Sequence, residues 1–153
     1  MDEMLYYYDR MIRPWHPKVL VLKGGANDQL HGYSSIETIF LEARIMDYAR
    51  IENPGIQFIV NGLHPNSMAL GKINRWRDSY NDLLKSYAHL HEDCIYTNYA
   101  DSPLFFNNPE DAGNFDKIRR DIYSSAYHFN KEGFELCTIY WKEILDKYLK
   151  GEA

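Results

Sequence analysis

The sequence predicts an α/β protein with three layers, α/β/α, in which a parallel sheet lies between helices. Three short apolar segments, Val19–Leu22, Ile56–Val60 and Cys94–Tyr99, have the character of buried strands. Longer segments with apolar residues at helical spacing separate them, and this alternation is typical of a parallel sheet covered by helices. The length of 153 residues and the apolar content of 45% fit one domain over residues 1–153.

The first half of the chain follows this alternation. Met4, Tyr8 and Ile12 lie on one stripe of a predicted helix, which Pro14 ends. After the first strand, Ser34 or Ser35 is expected to cap a second helix. That helix has apolar residues at helical spacing and ends before the second strand: Ile36, Ile39, Phe40, Ala43 and Met46.

The second half contains two further predicted helices. Trp76, Tyr80 and Leu84 mark a long amphipathic helix between the second and third strands. Residues 101–127 carry turn signals and are expected to form an irregular or partly helical connection. A last helix follows, with its apolar residues again at helical spacing: Phe134, Cys137, Trp141, Ile144, Leu145 and Tyr148.

The chain opens on a helix with no strand in front of it. Three strands are also few for a sheet with helices on both faces, because sheets usually have about 5–6 strands. We therefore expect one or two strands to precede this sequence in the full protein. Loss of such strands would expose backbone groups and apolar faces, which predicts marginal stability or self-association.

Composition excludes several classes of function. The net charge is −5 and basic residues are scattered, so nucleic acid is not an expected partner. No apolar segment approaches the roughly 20 residues that span a bilayer, and no signal segment opens the sequence, which predicts a cytoplasmic protein as it stands. Cys94 and Cys137 lack metal-type spacing and are predicted to be buried thiols. Neither a metal nor a cofactor is expected.

Four residues are candidates for a functional site. Gly25 and Asn27 follow the first strand, at the sheet edge where open α/β folds bind their ligands. An asparagine there can direct its amide into a crevice. His128 precedes the last helix, where an imidazole can stay wet and act as an acid or base. His64 follows the second strand and is predicted to line a substrate pocket.

The motif Gly25-Ala26-Asn27-Asp28 after a strand, with His128 and Gly133 before the last helix, resembles the SGNH hydrolases, or GDSL-type esterases and lipases. The resemblance implies a flavodoxin-like fold of which this chain is the C-terminal portion. It implies hydrolysis of a small-molecule, lipid or glycan ester by a serine nucleophile. Asn27 would be the oxyanion donor, Gly25 would let the backbone approach the substrate, and His128 would be the general base.

The sequence departs from the family at two points. The family's nucleophile lies in a Gly-Asp-Ser motif, which does not occur here, and the acid three residues before the histidine is replaced by Ser125. Asp121 could orient the ring only if the loop bends suitably. The chain alone is therefore predicted to be inactive or weakly active. The alternative is a non-catalytic, flavodoxin-like binding or interaction module, in which the glycines and Asn27 serve only the turn.

Overall fold

The chain forms two compact units in a computed structural model that describes residues 1–64, 71–125 and 128–150. Unit 1 comprises Met1–Leu63 and Gly71–Thr97, and unit 2 comprises His64–Leu70 and Asn98–Ala153. Helices and a parallel sheet occur together, which confirms the α/β class. The prediction of a single domain over residues 1–153 stays a prediction.

A parallel sheet of three strands forms the centre of unit 1. The strands are β1 (Val19–Leu22), β2 (Gln57–Asn61) and β3 (Cys94–Thr97), in the order β1-β2-β3. Val19 lies beside Gln57 and Phe58 beside Cys94. The bounds predicted for β1 are confirmed, and those of the other two strands differ by one or two residues.

The helices of unit 1 are α1 (Asp2–Tyr6), α2 (Tyr8–Met11), α3 (Ala26–Leu30), α4 (Ser35–Glu52) and α5 (Gly71–His89). The first predicted helix is thus interrupted at Tyr7, and a 3-10 turn follows at Arg13–Trp15. The predicted cap of α4 is confirmed at Ser34. Its Oγ accepts a hydrogen bond from the Glu37 amide at 3.2 Å, and the Glu37 carboxylate accepts one from the Ser34 amide at 2.8 Å.

Both crossover helices of unit 1 pack on one face of the sheet. Phe58 and Val60 from β2 belong to the same core as Met46 from α4 and Leu84 from α5. This follows from the strand order, because two right-handed crossovers that step in the same direction place their helices on the same side. A helical layer on the other face, as the three-layer prediction requires, stays a prediction.

An arginine ties the end of α4 to the start of β3. Arg50 Nε and Nη2 donate to the two oxygens of Asp93, at 2.7 and 2.9 Å, and its Nη1 donates to the Tyr87 hydroxyl at 2.8 Å. This paired geometry is the strong form of a carboxylate contact. The contact with Arg50 keeps the pKa of the Asp93 carboxyl below its ordinary value.

In its described residues, unit 2 contains short turns and one long helix, α6 (Lys131–Leu149). Its 3-10 turns are Tyr99–Asp101, Pro103–Phe105, Pro109–Asp111 and Phe115–Lys117. Each begins after a polar side chain that accepts a hydrogen bond from the amide two residues later: Asn98, Ser102, Asn108 and Asn114. The predicted irregular connection is confirmed, and side-chain caps give it its order.

Aromatic rings fill the core of unit 2. Tyr99 contacts Phe105, Phe129 and Tyr140, with ring centroids 5.0, 5.7 and 4.9 Å apart, and its hydroxyl accepts a hydrogen bond from Trp141 Nε1 at 2.8 Å. These rings combine a large apolar area with edge-to-face contacts. Most of the apolar burial of unit 2 therefore depends on a few large side chains.

Cys94 and Cys137 are both buried thiols, as predicted, and no disulfide joins them. Across the residues that the structure describes, no helix combines the length and the apolar character needed to cross a membrane.

Candidate functional site

The turn after β1 carries the first two candidate residues. Gly25 is buried with a φ of +95°, and α3 begins directly after it. A Cβ at Gly25 would lie 3.1 Å from Cζ of Tyr80, so the turn needs glycine both for its backbone angle and for the ring packed beside it. Asn27 lies in α3 rather than in an open turn, and its side chain is exposed to solvent.

A buried polar pair lies in the core of unit 1, next to the turn at Gly25. The Tyr80 hydroxyl donates to Glu42 Oε2 at 2.6 Å, and neither side chain has any exposed area. Glu42 Oε1 has no hydrogen-bond partner among the described residues. Burial raises the pKa of Glu42 to about 7, and burial together with the Glu42 charge raises the pKa of Tyr80.

Sequence reasoning missed this pair. Glu42 lies among apolar residues of a helix, and the helical period alone does not say which of its faces is buried. A signal was available in the spacing, because Glu42 stands four residues before Met46, one of the apolar residues predicted at helical spacing.

Asparagines organise the carboxyl ends of β2 and β3. The amide of Asn61 donates to Thr97 Oγ1 at 3.0 Å, and its Oδ1 is buried with no hydrogen-bond partner in the described part of the chain. Asn81 on α5 binds the backbone of Leu63 at two points, with Nδ2 to the carbonyl at 2.9 Å and Oδ1 to the amide at 2.8 Å. The chain leaving β2 is therefore held in place by side chains.

His128 stands next to Phe129, which forms an antiparallel bridge with Tyr123 in unit 2. Its side chain is exposed, and Nδ1 lies 2.9 Å from Ser125 Oγ. The same Oγ accepts from the His128 amide at 3.3 Å. The Ser124 hydroxyl is directed instead at the carbonyls of His128 and Phe129, at 3.2 Å from each.

Ser125 thus contacts the ring nitrogen that the orienting acid of a Ser-His-Asp triad would contact. The signal available in the sequence was the spacing, since Ser125 stands three residues before His128. Asp121, the other candidate for this role, pairs with Arg119, whose Nη2 lies 2.6 Å from its Oδ2. That contact lowers the pKa of the Asp121 carboxyl.

His64 belongs to the same unit as His128. Its ring stacks on that of Phe129 with centroids 4.6 Å apart, and its Nδ1 lies 3.2 Å from the Tyr123 hydroxyl. Phe129 follows His128 in the chain, so His64 packs against the residue next to His128. The predicted role of His64 in lining a substrate pocket stays a prediction.

The four candidates divide between the two units. Gly25 and Asn27 lie in unit 1, whereas His64 and His128 lie in unit 2. The catalytic roles that the resemblance implies for Asn27 and His128 stay predictions. Among the described residues, no group of three or more metal-binding side chains could hold a metal ion. Compared with protein-family models and with curated proteins, the chain matches none.

Proposed function

We propose that this chain is the C-terminal portion of an SGNH-type acylhydrolase, whose nucleophilic serine lies on a segment outside this sequence. The observation that carries the proposal is the contact of 2.9 Å between Ser125 Oγ and His128 Nδ1. It supports an imidazole that is held at one nitrogen and exposed, as a general base must be. The glycine turn at the end of β1, with the exposed Asn27 amide, is the second support.

The proposed reaction is hydrolysis of an ester. The upstream serine attacks the carbonyl carbon while His128 Nε2 takes the hydroxyl proton, and the amide of Asn27 donates to the oxyanion. The tetrahedral intermediate then collapses and expels the alcohol, which receives the proton from His128. In the second half of the reaction, His128 takes a proton from water, which attacks the acyl-enzyme, releases the acid and restores the serine.

Ser125 would act as a positioning residue in this reaction. For Nε2 to accept a proton, Nδ1 must carry one and donate it to Ser125 Oγ. A hydroxyl fixes this tautomer but brings no negative charge to stabilise the imidazolium that forms. The proposed enzyme would therefore be slower than one with aspartate at residue 125.

A second candidate function is a binding module without catalysis. The geometry of the two serines near His128 favours it for the chain alone, because Ser125 contacts Nδ1 and Ser124 contacts backbone carbonyls. Neither hydroxyl is placed as an activated nucleophile on Nε2.

The test compares this chain with a form extended through the upstream reading frame. Each is treated with a fluorophosphonate probe and assayed with p-nitrophenyl acetate. We expect this chain to be silent and the extended form to be labelled on the serine of a Gly-Asp-Ser motif. In the extended form, His128→Ala should abolish turnover, and Asn27→Ala should lower kcat by about 10²–10³-fold, the usual effect of losing one oxyanion donor.

His89→Ala is the matched control, because His89 is an exposed histidine at the end of α5 and has no part in the proposal. Its activity should equal that of the parent. An upstream stop codon with no Gly-Asp-Ser motif would overturn the proposal. So would robust turnover by this chain alone that is lost in Ser125→Ala.

A further inference from the structure

Helix α4 presents an apolar surface to solvent as well as to the core. Four large side chains on its outer side are exposed: Ile36 by 68%, Phe40 by 63%, Tyr48 by 41% and Ile51 by 76%. Spacings of about four residues place them on one face. We call this face, with Arg44 and Asp47, the α4 outer face.

The apolar residues predicted at helical spacing in α4 divide between two sides of the helix. Met46 is buried and Ile39 packs against the core, whereas Ile36 and Phe40 are exposed. Four further residues of α4 are buried with Met46: Thr38, Glu42, Ile45 and Ala49. A surface helix ordinarily has a polar outer side, and an exposed apolar stripe of this kind is typical of an interaction surface.

Near the middle of the helix, the α4 outer face carries one charge of each sign. Arg44 lies across the Tyr48 ring, with Cζ 5.9 Å from the centroid, and its Nη2 is 3.3 Å from the Tyr48 hydroxyl. Asp47 lies one turn further along, with 64% of its side chain exposed, and accepts from Arg50 Nη1 at 2.9 Å. Opposite charges three residues apart make the face complementary to itself when the helix direction is reversed.

We propose that the α4 outer face binds a second copy of the chain through an antiparallel pair of α4 helices. A two-fold axis midway between Arg44 and Asp47 places Arg44 opposite Asp47 of the other copy. The same register places Phe40 opposite Ile51. Each contact occurs twice, because a two-fold interface is self-complementary.

A second copy is the occupant that this pattern favours. Asp47 already pairs with Arg50 in its own chain, and the antiparallel copy places the carboxylate of Asp47 beside Arg44 as well, a charge that an apolar partner would not supply. Stable interfaces bury about 1,200–2,000 Å², and a contact made by one pair of helices is small by that standard, so a dimer with micromolar affinity is expected. The inference does not depend on the proposed enzymatic function.

The test is sedimentation equilibrium over about 1–200 µM, the range in which a micromolar dimer dissociates. We expect a dimer in the parent chain and a monomer in Phe40→Glu and in Ile51→Lys, which bury a charge without a partner. Leu90→Glu is the matched control, because Leu90 is 78% exposed but lies outside this face. Circular dichroism checks that each variant is folded.

A charge exchange tests the register. Arg44→Asp and Asp47→Arg should each weaken the dimer about tenfold, since each places like charges together. The double variant carrying both changes should regain the parent affinity. A monomer at every concentration would overturn the proposal. The proposal would also be overturned if Phe40→Glu still formed the dimer, or if the double variant dimerised with no higher affinity than the single variants.

Discussion

The two units of this chain reach an ordered structure by different means. Unit 1 is an arrangement of β1, β2 and β3 with long crossover helices, and most of its order comes from repeating backbone hydrogen bonds. The described residues of unit 2 form one long helix and a series of 3-10 turns, which polar caps hold around packed aromatic rings. The stability of unit 2 therefore depends on single side-chain contacts to a degree that the stability of unit 1 does not.

This difference makes the two units sensitive to different substitutions. A regular element spreads its stability over many equivalent contacts, whereas a cap or a close backbone approach has no substitute nearby. Small substitutions at a cap or at a close backbone contact should destabilise unit 2. Unit 1 should respond most strongly at Glu42, a carboxyl group with no exposed area.

The largest expected effect is that of Gly133→Ala in unit 2. A Cβ at Gly133 would lie 2.5 Å from the Ile122 carbonyl oxygen and 2.7 Å from Phe129 Cβ, so the start of α6 must move. We expect a loss of about 3–4 kcal/mol in the free energy of unfolding, measured with urea. Gly113→Ala is the control, because Gly113 has a φ of +88° but open space around it.

Gly113→Ala should cost only the strain of its backbone angle, about 1–2 kcal/mol. Equal losses in the free energy of unfolding would show that the close contact at Gly133 is relieved without cost. The expectation that unit 2 is sensitive to small changes at close backbone contacts would then be wrong.

The next largest effect concerns Glu42 in unit 1. Burial raises its pKa from 4.5 to about 7, opposed by the Tyr80 hydroxyl and the Met1 amino group and reinforced by Asp28. The folded state therefore holds the proton more tightly than the unfolded state. Stability from this group is complete below pH 4.5 and is lost as the pH rises through 7, by about 3 kcal/mol in total.

Glu42→Gln should flatten this dependence, because an amide stays neutral and can still accept from Tyr80. The variant should match the parent near pH 4 and exceed its stability at pH 8 in urea unfolding. Glu92→Gln, at an exposed residue, should leave the parent's pH dependence unchanged. This account would be contradicted if the stability of the parent rose between pH 5 and pH 8, and if the stability of both variants rose by the same amount.

The smallest expected effects are those of the helix caps. Ser34→Ala removes the cap of α4 and should cost about 1 kcal/mol. Asn130→Ala should cost about 2 kcal/mol, because Asn130 Oδ1 accepts from the Gly133 amide and its Nδ2 donates to the Asp121 carbonyl. Thermal unfolding of both variants measures the difference. A larger loss of stability in Ser34→Ala than in Asn130→Ala would contradict the expectation that unit 2 depends more than unit 1 on single side-chain contacts.

Sequence periodicity was a good guide to unit 1 and a poor one to unit 2. The strands and long helices of unit 1 follow from apolar runs and helical spacing, and Val19–Leu22 was located without error. Helix α3 was missed because Gly25, Asn27 and Asp28 are turn-forming residues. The turns of unit 2 have no period, since each depends on one side chain bonding to a nearby amide.

The candidate site was predictable only in part. The position of Gly25 at a left-handed turn follows from the paired glycines after a strand, and the exposure of His128 follows from its place in a loop. The contact from Ser125 to Nδ1 depends on how the loop folds back, which spacing alone does not fix. Likewise, helical spacing in α4 was clear, but it gave no information on which of two apolar faces is buried.

Each unit carries a single cysteine, Cys94 in unit 1 and Cys137 in unit 2, and both are enclosed. Burial, reinforced by the Asp93 charge, raises the pKa of the Cys94 thiol to about 12, so it resists alkylation while its surroundings remain closed. The chain thus contains two native reporters of transient opening, one for each half. Their modification rates, followed by mass spectrometry, would reveal which half loosens first without any engineered label.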